Sequence, residues 1–201
     1  MIKHLPGAEI LHTQLSNDEH NRVVSILDSY IKDESNYIIP AYPDWTSQAT
    51  FTSRHNSNIP WHDVIDIFMP YMNNYLDSIQ VRNKQDIRVE GWLNKYKKHT
   101  YQGLHDHHSS ALNIDVLFSC VYIYSNPKDE NRGKIRFENP VHKRWGSLAK
   151  YIPKDNIVFI ELEQDTGTFI IFPSWLEHWV TPHAVDEERI TLTFNLLVEH
   201  N

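Results

Sequence analysis

The first 85 residues contain two segments whose apolar residues recur at helical spacing. The first segment follows Ser16, which forms the pattern of an N-terminal capping box with Glu19. Its apolar stripe consists of Val23, Val24, Ile26, Leu27, Tyr30 and Ile31. The second segment starts at Pro60, a favourable first-turn residue, and continues to Ile79. Because proline lacks a backbone donor and its ring clashes with the preceding turn, Pro70 predicts a kink or a break in this helix.

After residue 85 the pattern changes to short runs of β-branched and aromatic residues separated by Asn, Gly, Pro and Asp. Such runs are typical of strands. They predict strands near residues 87–97, 101–107, 115–125, 134–138, 157–163, 167–173, 177–181 and 189–199. A short strand around Ala49–Phe51 is a further candidate.

Two helices followed by many short strands favour a mainly β protein with flanking helices. The predicted architecture is a double-stranded β-helix, or jelly-roll barrel, with the two N-terminal helices packed outside it. A length of 201 residues suits one domain covering 1–201. In that domain we expect residues 1–85 to form helical support and a lid loop, and residues 86–201 to form the jelly-roll core.

Charge and cysteine content narrow the classes of function. Lys and Arg number 19 and Asp and Glu number 26, so the net charge is −7 and binding to a phosphate backbone is not expected. The basic run Lys95–His99 is interpreted as a solvated strand end or loop. The single cysteine, Cys120, excludes an internal disulfide framework and a Cys-built zinc site, and is interpreted as a small buried residue.

No apolar run approaches the roughly 20 residues of a membrane helix, and residues 1–7 lack the apolar stretch of a secretory signal. We therefore expect no membrane association and a cytoplasmic location, which would be the host cytoplasm if the chain is encoded by a phage. The 13 histidines exceed the roughly five that an ordinary composition gives. That excess directs attention to metal binding.

Histidines concentrate in the segment Leu104–His108. Because alternate residues of a strand share a face, His105 and His107 form one pair, and Asp106 and His108 form the other. Either pair could supply two metal ligands. His178 follows the apolar strand 168–172 and a Pro-Ser corner, so it could face inward as a further ligand.

The segment Arg189–Leu196 alternates strictly between apolar and polar residues. One face carries Ile190, Leu192, Phe194 and Leu196, and the other carries Arg189, Thr191, Thr193 and Asn195. The polar face could simply lie in water. If it lies inside the barrel instead, the buried guanidinium requires an anion, and its planar fork fits a carboxylate.

In their order from about Trp92 to Asn195, these motifs resemble those of the Fe(II)/2-oxoglutarate-dependent dioxygenases. The likeness is to prolyl-hydroxylase-like members, and in particular to an uncharacterised branch found in marine bacteria and phages. The residues that carry it are Tyr101-Gln102-x-x-His105-x-His107, Ser119-Cys120-Val121-Tyr122, Gly133-Lys-Ile-Arg-Phe137-Glu-Asn139-Pro140, Phe172-Pro-Ser-Trp-Leu-x-His178 and Arg189-Ile-Thr191.

The resemblance implies an enzyme whose Fe(II) is held by His105, His107 and His178 and whose cosubstrates are 2-oxoglutarate and O2. It also implies that Arg189 and Thr191 bind the distal carboxylate of 2-oxoglutarate. In prolyl-hydroxylase-like enzymes a tyrosine on the strand after the metal motif reaches this cosubstrate. Tyr124 fits that place best, Tyr122 shares its face of the strand, and Tyr96 resembles another pocket tyrosine of the group.

The sequence departs from the family at position 107, where most members carry Asp or Glu. Three neutral imidazoles would leave the full +2 charge on the iron. A carboxylate could return only through Asp106 in the alternative register, with Asp106 and His108 facing in. The Tyr-Gln-x-x-His register favours His105 and His107.

The implied activity is a hydroxylase acting on a small molecule or peptide, with substrate and oligomeric state left open. Two alternatives remain: a three-His cupin-type dioxygenase that does not use 2-oxoglutarate, and a non-catalytic jelly-roll binding or structural module. An Arg189 that faced solvent would favour the first alternative, and histidines that never meet would favour the second.

Several aromatic residues and histidines receive supporting roles in this interpretation. The loop 36–59 is a candidate lid or substrate wall, although its aromatic residues could instead cover the seam between helices and barrel. Trp175 and Trp179 flank His178 and are expected to shield the site from water. The remaining histidines expected on the surface or in loops are His99, His142 and His183.

Overall fold

The computed structural model describes residues 2–5, 8–39, 45–51, 59–108, 114–140 and 159–199. In chain order the helices and strands are β1 (Ile2–Leu5), β2 (Ala8–Gln14), α1 (Asn17–Lys32), β3 (Gln48–Phe51), α2 (Trp61–Ser78), β4 (Arg88–Tyr96), β5 (Gln102–His105), β6 (Ile114–Ser125), β7 (Ile135–Glu138), β8 (Phe159–Glu161), β9 (Thr168–Pro173), β10 (His178–Val180) and β11 (Arg189–Glu199). Each predicted strand has a counterpart, including the short one near residue 50.

The strands form two antiparallel sheets that enclose an apolar core. The larger sheet has the order β1-β2-β9-β6-β11-β4-β3, and the smaller has the order β5-β10-β7-β8. Side chains from both sheets meet in one cluster, for example Val121 and Ile170 from the larger and Phe137 and Val180 from the smaller. Two facing antiparallel sheets with crossing connections are a jelly roll, so the predicted fold class is confirmed.

Both helices pack on the outer face of the larger sheet. Val23 and Leu27 of α1 and Phe68 and Met72 of α2 join a second apolar cluster with the outward-facing residues of β6, β9 and β11. The capping box at Ser16 is present, with the Glu19 backbone N–H donating to Ser16 Oγ and the Ser16 backbone N–H donating to Glu19. The helices therefore cover one side of the barrel and leave its interior to the strands.

Of the kink or break predicted at Pro70, the break does not occur, since α2 is one helix from Trp61 to Ser78. Proline removes a single backbone hydrogen bond from the helix. The buried side chains of Phe68 and Met72 on either side of Pro70 belong to the same core cluster. Their packing holds both halves of the helix on the sheet and compensates for the missing bond.

Strands β1 and β2 were not expected from the sequence pattern. They form a hairpin, and Leu11–Gln14 of β2 pair with Thr168–Ile171 of β9, which extends the larger sheet at one edge. The segment Ala8–Gln14 mixes polar and apolar residues over only seven positions. So short a strand carries little periodic signal, and its identity comes from pairing with a distant strand.

The run Lys95–His99 is only partly solvated, which corrects the sequence interpretation. Lys95 is buried, with its ammonium donating to the Ile31 carbonyl at 3.0 Å and to Glu34 at 2.7 Å, over the ring of Tyr37. These contacts offset the free-energy cost of burying the cation, and they link the C-terminal end of α1 to β4.

Two expectations from composition can be compared with the described part of the chain. Cys120 is fully buried, as predicted, and burial raises the pKa of its thiol. Within the ranges that the structure describes, no helix combines the length and apolar character needed to cross a membrane.

Candidate metal and cosubstrate site

Three histidines converge at one end of the space between the sheets. His105 ends β5 and His178 begins β10, and the two residues are directly paired across these strands. His107 lies two residues beyond β5, where its backbone N–H donates to the Ser174 carbonyl at 2.9 Å. The ring centroids are 4.4–5.4 Å apart, and one nitrogen of each ring lies within 4.8 Å of the others.

The Nδ1 atoms of all three rings already have partners. His105 Nδ1 lies 2.7 Å from the Gly103 carbonyl, and His178 Nδ1 lies 2.9 Å from the Leu176 carbonyl. His107 Nδ1 lies 2.8 Å from both Asn195 Oδ1 and Ser119 Oγ. A carbonyl oxygen only accepts hydrogen bonds, so Nδ1 carries the proton and Nε2 retains a lone pair for a metal ion.

Burial keeps these imidazoles neutral. It lowers the pKa of His107 to about 4, with the neighbouring His105 adding to the effect. It also lowers the pKa values of His105 and His178, while the bonds to the Gly103 and Leu176 carbonyls oppose the shift. Because a histidine ligates metal only when deprotonated, the three rings suit a divalent cation at neutral pH.

The neighbouring Asp106 and His108 face solvent. The Asp106 carboxylate accepts the His108 backbone N–H at 3.2 Å and closes its own turn. Among the described residues, His105, His107 and His178 form the one cluster of potential metal ligands. The arrangement therefore contains three nitrogen donors, and the carboxylate of the alternative register points away from them.

A cavity extends from the histidines between the two sheets. Trp45 packs 5.6 Å from His105 and Trp92 packs 5.7 Å from His107, measured between ring centroids. Deeper in the cavity the walls become polar. The Asn94 amide donates to Thr193 Oγ1 at 2.9 Å, and the Gln102 amide donates to Ser47 at 3.0 Å.

Arg189 lies at the deep end of the cavity with a solvent exposure of only 1%. Its guanidinium stacks 4.7 Å above the ring of Tyr96, and none of its three nitrogens has a hydrogen-bond partner in the described structure. Burial lowers the pKa of Arg189, yet an arginine keeps its proton in a protein. Thr191 lines the same cavity. This end of the cavity therefore presents a cation and a hydroxyl group, a combination that suits an anion.

Tyr122 and Tyr124 are not in this cavity. They point from β6 toward the helices, where the Tyr122 hydroxyl lies 2.5 Å from His20 Nδ1 and its ring packs 4.9 Å from Phe68. The face of β6 that looks into the barrel instead carries Ser119, Val121 and Ile123. Tyr96 on β4 is the tyrosine that lines the cavity, and burial raises its pKa while Arg189 opposes that shift.

The two tryptophans next to His178 also lie outside the cavity. Trp175 is 45% exposed and lines a separate groove near the end of α2, and Trp179 packs against Phe159. The tryptophans that pack against the metal cluster are Trp45 and Trp92, so they take the shielding role that was expected of Trp175 and Trp179. Trp45 belongs to the loop 36–59 and packs against His105, which agrees with the idea of a substrate wall within that loop.

His183 lies in a loop, one of the two locations expected for it, but its side chain is fully buried. Its Nδ1 accepts the Gly133 backbone N–H at 3.0 Å and its Nε2 lies 2.6 Å from the Glu187 carbonyl, so it links two loops away from the metal cluster. His99 is exposed as expected, and His142 lies outside the described residues.

Several cavity residues escaped the sequence interpretation. Trp92 and Asn94 share the inward face of β4 with Tyr96, which the resemblance had already suggested as a pocket residue. Their alternation along the strand was readable once β4 was assigned. Ser119 and Asn195 were visible only as members of motifs. Their contact with His107 depends on the register between β6 and β11, which no local pattern reports.

The sequence matches the family model described as "Putative 2OG-Fe(II) oxygenase" over residues 90–195, just over half of the chain. The match begins within β4 and ends within β11, and it contains His105, His107, His178 and Arg189. No curated protein sequence matches that of this chain.

Solved structures share the fold at low sequence identity. A prolyl-4-hydroxylase from Pseudomonas putida superposes with a TM-score of 0.66 at 13% identity, covering 96% of this chain and 93% of its own. A viral collagen prolyl hydroxylase from Paramecium bursaria Chlorella virus 1, in complex with 2-oxoglutarate, gives 0.60 at 16% identity and coverages of 94% and 96%. An oxidoreductase of the 2OG-Fe(II) oxygenase family from Burkholderia pseudomallei gives 0.62 at 16% identity and coverages of 97% and 85%.

The family match and the fold agree with a cavity that presents neutral imidazoles at one end and, at the other, a buried arginine with no hydrogen-bond partner among the described residues. On that evidence the chain belongs to the 2OG-Fe(II) oxygenases, the jelly-roll enzymes that depend on Fe(II) and 2-oxoglutarate.

Proposed function

We propose that this oxygenase is a hydroxylase that couples the oxidative decarboxylation of 2-oxoglutarate to oxidation of a C–H bond in a small-molecule or peptide substrate. His105, His107 and His178 hold Fe(II), and Arg189 with Thr191 holds the distal carboxylate of 2-oxoglutarate. Tyr96 takes the supporting role first expected of Tyr124 and Tyr122. The observation that carries the proposal is the presence, in one cavity, of three neutral imidazoles and a buried guanidinium that has no hydrogen-bond partner in the described part of the chain.

The donor set fits iron. Imidazole nitrogen is a common ligand for Fe(II), and three of them leave open positions for other ligands. When bound, Fe(II) with 2-oxoglutarate and O2 supplies the oxidising chemistry, producing succinate and CO2. The chain contributes ligand geometry, an anchor for the cosubstrate and a sheltered space.

The anchor for 2-oxoglutarate is built on one face of β11. Arg189 and Thr191 are alternate residues of this strand, and they are paired with Tyr96 and Asn94 of β4. The guanidinium can donate two parallel hydrogen bonds to a carboxylate, and the Thr191 hydroxyl can add a third. Fixing the far end of the cosubstrate orients its keto-acid end toward the histidines.

The substrate approaches between aromatic walls. Trp45 packs against His105 and Trp92 packs against His107, so aromatic rings flank the metal cluster. Their rings keep bulk water from the metal cluster and offer apolar contact area to a substrate. We extend the proposal to a single catalytic domain over residues 1–201, whose cytoplasmic location stays a prediction.

The cavity favours this proposal over the two alternatives. A dioxygenase that did not use 2-oxoglutarate would have no use for a buried cation at the deep end. A purely structural jelly roll would have no reason to bring three histidines together with their Nε2 atoms unused. The buried cation in particular costs folding free energy that an anion would offset.

Succinate formation tests the proposal. The purified chain with Fe(II), ascorbate and 2-oxoglutarate is expected to release succinate, at a low uncoupled rate even when the substrate is missing. His178→Ala is expected to abolish this release, while His108→Ala, which removes an exposed neighbour of the cluster, is expected to retain it. Equal rates in the wild type and His178→Ala would refute the assigned site.

A further inference from the structure

We propose that Ser119 and Asn195 are positioning residues that hold His107 in the tautomer and orientation needed for metal binding. This inference rests on the proposed role of His107 as a ligand. In this proposal β6 and β11 do more than form the cavity wall. Their side chains allow a histidine to bind the metal ion at a position where the family usually carries a carboxylate.

The three side chains form a closed hydrogen-bond triangle. His107 Nδ1 lies 2.8 Å from both Asn195 Oδ1 and Ser119 Oγ, and the Ser119 hydroxyl donates to Asn195 Oδ1 at 2.9 Å. Ser119 and Asn195 are directly paired residues of β6 and β11, so the rigid sheet sets their spacing. With the hydroxyl proton directed to Asn195, both oxygens accept from the His107 Nδ1–H, and Nε2 points to the other histidines.

His107 differs from its two partners in how it is held. His105 and His178 each bond a backbone carbonyl two residues earlier in their own segment, so the local chain fixes their rings. His107 lies beyond the end of β5, and among the described residues its ring Nδ1 bonds only side chains, which are 12 and 88 residues away in sequence. Removing those side chains therefore disturbs one ligand and leaves the other two in place.

The neutrality of the acceptors suits the site. A carboxylate at position 195 would favour the imidazolium form of His107 in the absence of metal, because a nearby anion stabilises the protonated ring. The Asn195 amide accepts the same hydrogen bond without that charge. Once a metal ion is bound, a carboxylate acceptor would also support the ring, as carboxylate–histidine–metal triads do.

Metal binding to the apo-protein tests the inference independently of turnover. Apo-protein is titrated anaerobically with Co(II) in competition with a chelator, for the wild type and for Asn195→Leu, Ser119→Ala and Asn195→Asp. Asn195→Leu is expected to weaken binding about 10–100-fold, the usual cost of losing such a partner. Ser119→Ala is expected to cost less, because Asn195 still accepts from Nδ1, and Asn195→Asp is expected to bind within about threefold of the wild type.

The tautomer of His107 provides the second measurement. Imidazole nitrogen chemical shifts of the zinc-loaded and apo wild type are expected to report Nδ1–H, and those of apo Asn195→Leu are expected to report a mixture of tautomers. Leu196→Val, which changes the neighbouring core residue on the opposite face of β11, is the control for general packing damage and is expected to bind Co(II) normally.

The outcomes separate the two proposals. No Co(II) binding by the wild type would overturn the proposed metal site itself. Normal wild-type binding with an unchanged Asn195→Leu variant, or with Asn195→Asp as weak as Asn195→Leu, would overturn the positioning role alone. An Nε2–H tautomer for His107 in the apo wild type would do the same.

Discussion

The two ends of the cavity differ in how burial affects the charge of their ionisable side chains. At the histidine end, burial lowers the pKa values of three imidazoles, so the groups become neutral and fit their surroundings without a ligand. At the arginine end, burial cannot remove the charge, and the guanidinium remains a cation stacked on the ring of Tyr96.

This difference indicates which ligand each end requires. Neutral nitrogen donors attract a metal cation, which adds positive charge to the cavity. A buried, unpartnered cation attracts an anion, which removes positive charge. A molecule with one carboxylate near the metal and another at the arginine satisfies both ends, and 2-oxoglutarate has that form.

The largest effect is expected from removing a ligand at the histidine end. His178→Ala or His107→Ala leaves two imidazoles, and we expect metal affinity to fall by more than about 100-fold, with succinate formation undetectable. Anaerobic titration with Fe(II) and a succinate assay measure both quantities.

The neighbouring exposed residues are the matched controls. Asp106→Ala and His108→Ala are expected to bind Fe(II) like the wild type, because both side chains face solvent. Loss of binding in Asp106→Ala with retention in His107→Ala would mean that the strand takes the opposite register, and the contrast between the two ends would fail.

A smaller but selective effect is expected at the arginine end. Arg189→Met removes the charged anchor, so the KM for 2-oxoglutarate should rise by about two orders of magnitude, the usual effect of deleting one partner of a buried charged pair. Fe(II) affinity without cosubstrate should stay the same. Steady-state kinetics and metal titration measure these two properties separately.

The same variant sharpens the comparison through stability. Arg189→Met replaces a buried cation with an apolar side chain. The free energy of unfolding of the apo variant, measured in urea, should therefore exceed that of the apo wild type by about 1 kcal/mol or more. Added 2-oxoglutarate should raise the Tm of the Fe(II)-loaded wild type and leave that of the variant unchanged. A marked loss of stability in the apo variant would show that Arg189 has a structural partner.

The smallest effect concerns the tyrosines. Tyr96→Phe should raise the KM for 2-oxoglutarate about 2–10-fold, the range for losing one neutral hydrogen bond. Tyr124→Phe should leave it unchanged, because Tyr124 faces the helices. Steady-state kinetics measures the KM of both variants. A larger increase in Tyr124→Phe than in Tyr96→Phe would contradict the assignment of Tyr124 to the helix-facing side of β6.

Much of the fold was predictable because its signals are local. The capping box at Ser16 and the strict alternation of Arg189–Leu196 depend on neighbouring residues. The hairpin of β1 and β2 was not predictable, since it is defined by pairing with β9. The continuity of α2 through Pro70 likewise depends on tertiary packing, which outweighs the cost of one proline.

The site shows the same division. His105, His107 and His178 were proposed from spacing and resemblance. Alternation made Arg189 a candidate but left open which way it faces, and the resemblance gave it a role. Tyr122 was placed on the wrong face because β6 is buried on both sides, and a strand without polar alternation does not reveal which face looks inward. The contacts of Asn195 and Ser119 with His107 required the register of two strands and could not be read from either one.

The most direct test of the account is a crystal structure of the protein grown under nitrogen with Fe(II) and 2-oxoglutarate. The account predicts iron bonded to Nε2 of His105, His107 and His178, with the distal carboxylate of 2-oxoglutarate hydrogen-bonded to Arg189 and Thr191. Iron bound to other residues, or a cosubstrate carboxylate away from Arg189, would contradict it.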